Sequence, residues 1–133
     1  MFNKNQILLC LNYFMKKIYY LSTCDTCKKI INFWSPTEDL ILIDLKKNPI
    51  NQKQLKELYE LSKSYESLFN KRALLFREFK KKKPIPIEED YKKLILDHYT
   101  FLKRPILLIN GKLIIGNSKK SINEGLSEIN NLV

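Results

Sequence analysis

The 133-residue sequence is poor in the residues that bind metals or cross-link secreted domains, with three cysteines and one histidine. A structural zinc site needs four ligands, and beyond one Cys-x-x-Cys pair the chain offers only Cys10 and His98. An odd number of cysteines also argues against a secreted disulfide framework and for a reducing compartment. We therefore predict no metal site and a cytoplasmic protein, and we interpret His98 as a structural residue at the end of a helix.

Long apolar runs are also lacking. Nothing in the sequence approaches the roughly 18 to 20 apolar residues that a membrane span needs, so we expect no membrane association. The net charge of +10 could attract nucleic acid, but it comes without the interleaved aromatic and basic residues that stack bases. We therefore expect no direct nucleic-acid binding. The basic run 80–83 is interpreted as a solvated loop, with a landing site for an acidic partner as the alternative.

The first fourteen residues precede a second methionine, Met15, which begins a natural opening. Residues 7–11 are too short for the apolar core of a signal peptide, and no small-residue cleavage site follows them. We interpret 1–14 as a non-native or disordered extension. Residues 15–133 are predicted to form a single domain, in keeping with the length of the chain, and we expect a monomer.

The start of this domain has the pattern strand, loop, helix, strand. Residues 17–21 are a short β-rich run that leads into the loop 24–27. Apolar residues then recur with helical spacing from Asp25 to Trp34, where Ser-Pro ends the helix. Residues 40–44 form a continuous apolar run, which favours a strand buried on both faces.

The middle of the chain, about 51–101, is predicted to be a helical insertion. Asn51 and Gln54 have the spacing of a capping box at the start of its first helix. Residues 68–79 and 88–98 also have helical periodicity.

Two apolar β runs, 105–109 and 112–115, follow the insertion. Asn110-Gly111 joins them, which is the strongest short signal for a two-residue hairpin, and a last helix covers 118–132. The order is therefore βαβ, helical insertion, ββα. With a Cys-x-x-Cys between strand and helix, it predicts an α/β thioredoxin-like fold with a small mixed central sheet.

The cysteine pair is the predicted chemical centre. A helix that starts near Asp25 directs free backbone N–H groups and its positive dipole end at Cys24, which favours the reactive thiolate. Cys27 lies one turn later, placed to attack a mixed disulfide formed at Cys24. Asp25 opposes the thiolate, whereas Lys28 and Lys29 favour it. The alternatives are zinc binding and plain burial, and burial suits Cys27 better than Cys24.

Three separated blocks carry a resemblance to a known family: residues 19–29 (YYLSTCDTCKK), 71–75 (KRALL) and 98–106 (HYTFLKRPI). They resemble the ArsC/Spx family of thioredoxin-like proteins, which includes glutaredoxin-coupled arsenate reductases and the Spx transcriptional regulators. The blocks stand in the family's order, and the resemblance extends from about residue 15 to the end of the chain.

The resemblance implies roles for individual residues. Cys24 falls on the family's nucleophile, Arg72 and Arg104 fall on arginines that surround an oxyanion, and Pro105 falls on the cis-proline beside the active loop. On structural grounds alone, each arginine would more often be a surface salt-bridge partner.

The family also implies a reaction, that of an arsenate reductase-like thiol/disulfide oxidoreductase with no bound cofactor. Cys24 would attack a small oxyanion or thiol substrate, and glutathione, glutaredoxin or thioredoxin, or Cys27 itself, would resolve the adduct.

Two departures keep alternatives open. Gly116 stands in the region where arsenate-processing relatives carry a third arginine, and Cys27 stands where they commonly have serine. The Cys-x-x-Cys is typical of Spx regulators, in which it is a disulfide switch, although the chain ends without their tail. The alternative functions are therefore an Spx-like redox-sensing regulator that binds RNA polymerase, and a family member with an unassigned thiol substrate.

Overall fold

The computed structural model describes residues 3–6 and 16–131. The predicted extension 1–14 lies mostly outside this range, as do Cys10 and the end of the last predicted helix. The chain forms two compact units, which we call the sheet unit (Met1–Lys46 with Arg104–Val133) and the helical unit (Lys47–Lys103). Of the described part of the extension, residues 4–6 are helical.

In its described residues, the sheet unit contains four strands: β1 (Lys17–Tyr20), β2 (Ile41–Asp44), β3 (Ile106–Ile109) and β4 (Lys112–Ile115). Their order in the sheet is β2-β1-β3-β4. β1 pairs in parallel with β2 and antiparallel with β3, and β3 pairs antiparallel with β4. Helix α1 (Asp25–Trp34) connects β1 to β2. The predicted mixed sheet is confirmed, and the unit has the α/β thioredoxin-like fold.

One apolar core joins the sheet to α1 and to the last helix of the unit, Lys119–Asn130. Trp34 lies in this core, 2% exposed, and its indole N–H donates to the Ile122 carbonyl at 2.9 Å. Ile129 and Leu107 pack in the same cluster. The helical apolar spacing seen in the sequence is thus explained by burial against the sheet.

The prediction that the run 40–44 is buried on both faces is wrong. β2 lies at the edge of the sheet, and Ile41 and Leu42 are 57% and 45% exposed. All four residues of β3, which lies inside the sheet, are buried. An apolar run identifies a strand, but it does not distinguish an edge position from an interior one.

The predicted hairpin is confirmed. Asn110 and Gly111 have φ values of 53° and 70°, the left-handed conformation that a two-residue turn of this type requires at both positions. Glu128, on the last helix, accepts hydrogen bonds from the Asn110 side-chain amide at 3.0 Å and from Lys112 Nζ at 2.6 Å. The turn is therefore tied to the helix that packs beside it.

The helical unit contains α2 (Gln52–Ser62), α3 (Tyr65–Leu68), α4 (Leu74–Lys82), α5 (Glu88–Asp97) and a 3-10 turn (Tyr99–Phe101). The last helix of the chain, Lys119–Asn130, is accordingly α6. The capping box at the start of α2 is confirmed, because Gln54 N–H donates to Asn51 Oδ1 at 2.8 Å and Asn51 N–H donates to Gln54 Oε1 at 3.0 Å. Within residues 3–6 and 16–131, no helix is long and apolar enough to span a bilayer.

The prediction of one helix over 68–79 is wrong. α3 ends at Leu68 and α4 begins at Leu74. Between them, the fully buried Phe69 forms a β-bridge with Leu102, and Asn70 N–H donates to the Phe101 carbonyl at 2.7 Å. These long-range contacts hold extended backbone where the local pattern favours a helix.

The basic run is also placed differently from the prediction. Lys80, Lys81 and Lys82 form the last turn of α4 rather than a loop, although their side chains are exposed, as expected. Cations at a helix C-terminus interact favourably with the negative end of its dipole. The run therefore has a local role in ending α4.

His98 lies at the end of α5, as predicted, and begins the 3-10 turn. Its ring Nδ1 accepts a hydrogen bond from the Thr100 N–H at 3.1 Å. The histidine is therefore a capping residue of the helical unit.

Candidate active site

The cysteine loop connects β1 to α1. Cys24 is the N-cap residue of α1, with extended backbone (φ −98°, ψ 111°), and the helix begins at Asp25. Both thiols are free; Cys24 is half-buried and Cys27 is completely buried. The loop thus presents one accessible sulfur and, one turn later, one sheltered sulfur.

The pKa of Cys24 lies below the ordinary value for a thiol. Burial acts to raise this pKa, but hydrogen bonds from the backbone and side chain of Cys27 and the charge and hydrogen bond of Arg104 outweigh it. Lys28 and Lys29, which we expected to help, are exposed on α1, and the principal cation is Arg104.

The pKa of Cys27 is shifted in the opposite direction to that of Cys24. Burial raises the pKa of the Cys27 thiol to about 11, although a backbone hydrogen bond from Leu21 and the charge of Arg104 act to lower it. Its contact with Cys24 raises the pKa further, since a thiolate at one sulfur disfavours a second beside it. Of the two sulfurs, Cys24 is therefore the one that ionises more readily, and the Cys27 thiol stays protonated at neutral pH.

The topology of the sheet explains how Arg104 comes to lie at Cys24. β1 and β3 are antiparallel, with Tyr19 opposite Ile106, so the start of β3 lies beside the end of β1. Arg104, which is half-buried, precedes β3 and therefore lies where β1 leads into the cysteine loop. The Arg104–Pro105 peptide bond is cis, and Pro105 is buried.

Asp44, which the sequence analysis did not single out, supports the same loop. It ends β2 opposite Tyr20 and is 7% exposed; among the charged residues that the structure describes, it alone is buried. Its Oδ1 accepts hydrogen bonds from the backbone N–H groups of Ser22 and Lys46, each at 3.1 Å. The available signal was an acidic residue that ends an apolar strand.

Arg72 belongs to the helical unit. It is exposed in the turn before α4, and its backbone N–H donates to Asn70 Oδ1 at 3.2 Å. Its assignment to an oxyanion site stays a prediction.

Gly116, which the sequence analysis set against the third arginine of arsenate-processing relatives, follows β4. Its φ of 86° is in the left-handed range that favours glycine, and its N–H donates to the Pro105 carbonyl at 2.9 Å. The backbone conformation beside Pro105 therefore accounts for a glycine at this position. Over the described ranges, no group of three or more His, Cys, Asp or Glu side chains could hold a metal ion.

The fold and the paired thiols define a class, the thioredoxin-like thiol oxidoreductases. The model of the ArsC family matches residues 19–124, and the chain belongs to this family. The resemblance to ArsC seen in the sequence is thereby confirmed. No curated protein sequence matches the chain.

Several solved structures have a fold similar to that of this chain. The YffB protein is 21% identical, with a TM-score of 0.68, and the match covers 84% of this chain and 99% of that one. An arsenate reductase (ArsC) related protein from Brucella melitensis is 24% identical, with a TM-score of 0.61, over 83% and 92% of the two chains. A putative ArsC family related protein from Bacteroides fragilis is 18% identical, with a TM-score of 0.66, over 84% and 98%. At these identities the likeness concerns the fold.

Proposed function

We propose that the protein is an arsenate reductase-like thiol/disulfide oxidoreductase in which Cys24 is the nucleophile. The observation that carries the proposal is the opposite shift of two neighbouring thiols: the pKa of Cys24 is lowered and that of Cys27 is raised to about 11. A nucleophile must be ionised at neutral pH, whereas a resolving thiol must stay protonated until it is needed. The directions of the two pKa shifts favour this division of roles.

With a disulfide substrate, the reaction has two steps. The Cys24 thiolate attacks one sulfur, the substrate S–S bond breaks, and one substrate thiolate leaves while a mixed disulfide forms at Cys24. Cys27 then gives up its proton and attacks the Cys24 sulfur, which releases the second substrate thiolate. The enzyme ends with a Cys24–Cys27 disulfide, and the substrate has gained two electrons.

With an oxyanion such as arsenate, Cys24 displaces one oxygen, which leaves as water, and forms a sulfur–arsenic bond. A second thiol, from glutathione or from Cys27, attacks the Cys24 sulfur, and arsenic leaves with the bonding pair as arsenite. Arg104, which already stabilises the Cys24 thiolate, would balance the anionic charge of the adduct. We assign Arg72 the same task on the strength of the resemblance alone.

The oxidised protein must be reduced from outside. Glutathione with glutaredoxin, or thioredoxin, is the proposed donor, which agrees with a cytoplasmic location. The cysteines themselves carry the electrons, so the proposal includes no bound cofactor.

The test is arsenate turnover by the purified protein with glutathione and glutaredoxin, using Cys24→Ser and Cys27→Ser variants. Loss of turnover in Cys24→Ser with turnover retained in Cys27→Ser supports a glutathione-resolved arsenate reductase. Loss in both variants supports resolution by Cys27. Turnover that survives Cys24→Ser contradicts the assignment of the nucleophile.

A redox switch acting on RNA polymerase is the second candidate. A Cys24–Cys27 disulfide suits it, and the exposed basic end of α4, residues 80–82, offers a surface for an acidic partner. Absence of turnover on arsenate and on small disulfides, together with a reversible Cys24–Cys27 disulfide, would favour this candidate.

A further inference from the structure

We propose that Asp44 is a positioning residue for the nucleophile. Its carboxylate accepts a hydrogen bond from the Ser22 N–H in the loop and thereby keeps the Cys24 sulfur at the start of α1. The proposal rests on the proposed role of Cys24. It concerns a residue outside the cysteine pair.

The geometry shows how one carboxylate extends the sheet. The parallel ladder between β1 and β2 ends with Tyr20 opposite Asp44, followed by a hydrogen bond from Leu45 N–H to the Tyr20 carbonyl at 2.8 Å. The ladder ends at this pair. Asp44 Oδ1 then accepts hydrogen bonds from one N–H group that follows each strand, those of Ser22 and Lys46, both at 3.1 Å.

Two residues after Ser22, the chain must place Cys24 at the helix N-terminus. Cys24 N–H donates to the Leu21 carbonyl at 3.1 Å, so a tight turn joins the end of β1 directly to the nucleophile. Ser22 lies inside this turn. An anchor on Ser22 therefore constrains the turn from within and fixes Cys24 relative to Arg104 and the Cys27 N–H, the groups that lower the Cys24 pKa.

Burial of a carboxylate is costly unless hydrogen bonds compensate for the lost water. Asp44 is 7% exposed, and the two N–H groups that face Oδ1 supply charge-assisted bonds. An apolar residue would suit the buried end of β2 without that cost. The observed residue is thus explained by the N–H groups that it binds.

The experiment measures alkylation of Cys24 by iodoacetamide at pH 7, in a Cys10→Ser, Cys27→Ser background where Cys24 is the sole cysteine. Asp44→Ala and Asp44→Val remove the acceptor, and Asp44→Asn keeps an oxygen but removes the charge. The matched control is Glu128→Gln, which alters another carboxylate of the sheet unit with two hydrogen bonds, from Asn110 and Lys112. All variants are compared at equal folded fraction.

Positioning predicts that Asp44→Ala and Asp44→Val slow alkylation by about fivefold or more, since a loss of one pKa unit of thiolate stabilisation is about tenfold. The alkylation rate of Asp44→Asn is expected to lie within about twofold of the parent rate, and Glu128→Gln should not change the rate. A direct effect of the Asp44 charge on the sulfur has the opposite sign, because its removal would speed alkylation in both Asp44→Ala and Asp44→Asn. Faster alkylation of this kind would overturn the proposal. So would an unchanged rate in every variant, or a rate in Asp44→Asn as slow as in Asp44→Ala.

Hydrogen exchange provides a measurement that needs no variant. The Ser22 amide of the intact protein must exchange slowly, and exchange at the rate of an unstructured peptide would overturn the proposal even if every Asp44 variant failed to fold. Failure of the proposed function can be told apart from failure of this proposal. A protein without turnover can still show fast alkylation of Cys24, and the effect of the Asp44 variants on that rate can then still be measured.

Discussion

The side chain of Cys27 hydrogen-bonds to the sulfur of Cys24, and this contact moves the pKa values of the two thiols apart. As donor, Cys27 stabilises the Cys24 thiolate, and the neighbouring sulfur in turn disfavours ionisation of Cys27. The difference in reactivity is therefore a property of the pair as much as of each position in the fold.

The first prediction is that iodoacetamide at pH 7 modifies Cys24 well before Cys27. Cys24 is half-buried with a lowered pKa, whereas Cys27 is completely buried with a pKa of about 11. Fragmentation mass spectrometry of the peptide 18–28 locates the label on one sulfur or the other. In Cys24→Ser, Cys27 is expected to stay slow, and equal labelling of the two cysteines in the intact protein would contradict the assignment.

The second prediction concerns Arg104. Its guanidinium favours the Cys24 thiolate by charge and by a hydrogen bond, so Arg104→Ala should raise the Cys24 pKa towards its ordinary value. The ultraviolet absorbance of the thiolate, followed against pH, measures the shift. Alkylation of Cys24 at pH 7 should slow about threefold to tenfold, given that one pKa unit is a factor of ten.

Two variants test the specificity of that effect. Arg104→Lys keeps a charge without the planar fork and should lie between Arg104→Ala and the parent. Lys120→Gln removes an exposed cation from α6 in the same unit and should leave the Cys24 titration unchanged. Equal shifts in Arg104→Ala and Lys120→Gln would mean that net charge, rather than contact, sets the pKa.

The sequence was sufficient to predict the cysteine pair, the strand-helix junction and the hairpin, because each depends on neighbours in the chain. Asn110-Gly111 adopts the positive φ values that its turn requires, and Asn51 with Gln54 forms its capping box. A structure that is determined by neighbouring residues can be predicted from a single sequence.

The failures share a different cause, namely contacts from distant segments. Nothing near residue 69 indicates that Phe69 will pair with Leu102, and an acidic residue at the end of β2 does not by itself indicate that Asp44 will bind Ser22 in the turn after β1. The exposure of Ile41 likewise depends on the position of β2 in the sheet. Such features are set by topology, which the pattern of one segment does not contain.

The third prediction is a pH dependence of stability at Glu128. The hydrogen bond from Lys112, and then that from Asn110, lower the pKa of the Glu128 carboxyl. A lowered folded-state pKa gives stability that is present above the ordinary value and is lost as the pH falls through the folded value. Glu128→Gln should therefore be less stable than the parent at pH 7 and low salt, with a smaller difference at an acidic pH below the ordinary carboxyl value.

Urea unfolding at the two pH values measures this difference. Glu124→Gln is the control, because Glu124 lies on the same helix and its carboxylate is 3.9 Å from the exposed Lys120 Nζ, a pair expected to contribute little. An equal deficit for Glu128→Gln at both pH values would show that its ionised form is not the origin of the effect.

The fourth prediction is that Gly125→Ala destabilises the sheet unit. A Cβ at this position would lie 2.5 Å from Trp34 Cζ2 and 2.7 Å from Cε2, well inside contact distance. The indole is 2% exposed and is held by its hydrogen bond to the Ile122 carbonyl, so it cannot swing away. Overpacking of this kind costs about 1–3 kcal/mol.

Helix propensity alone predicts the opposite sign, since replacing glycine by alanine inside a helix stabilises it by about 1 kcal/mol. The sign of the change in unfolding free energy therefore decides between close packing and local propensity. Urea unfolding followed by the fluorescence of Trp34, the single tryptophan of the chain, measures it. Asn123→Ala, at an exposed position of α6, should stay within about 0.5 kcal/mol of the parent, and a Gly125→Ala protein as stable as the parent would contradict the close contact between α6 and α1.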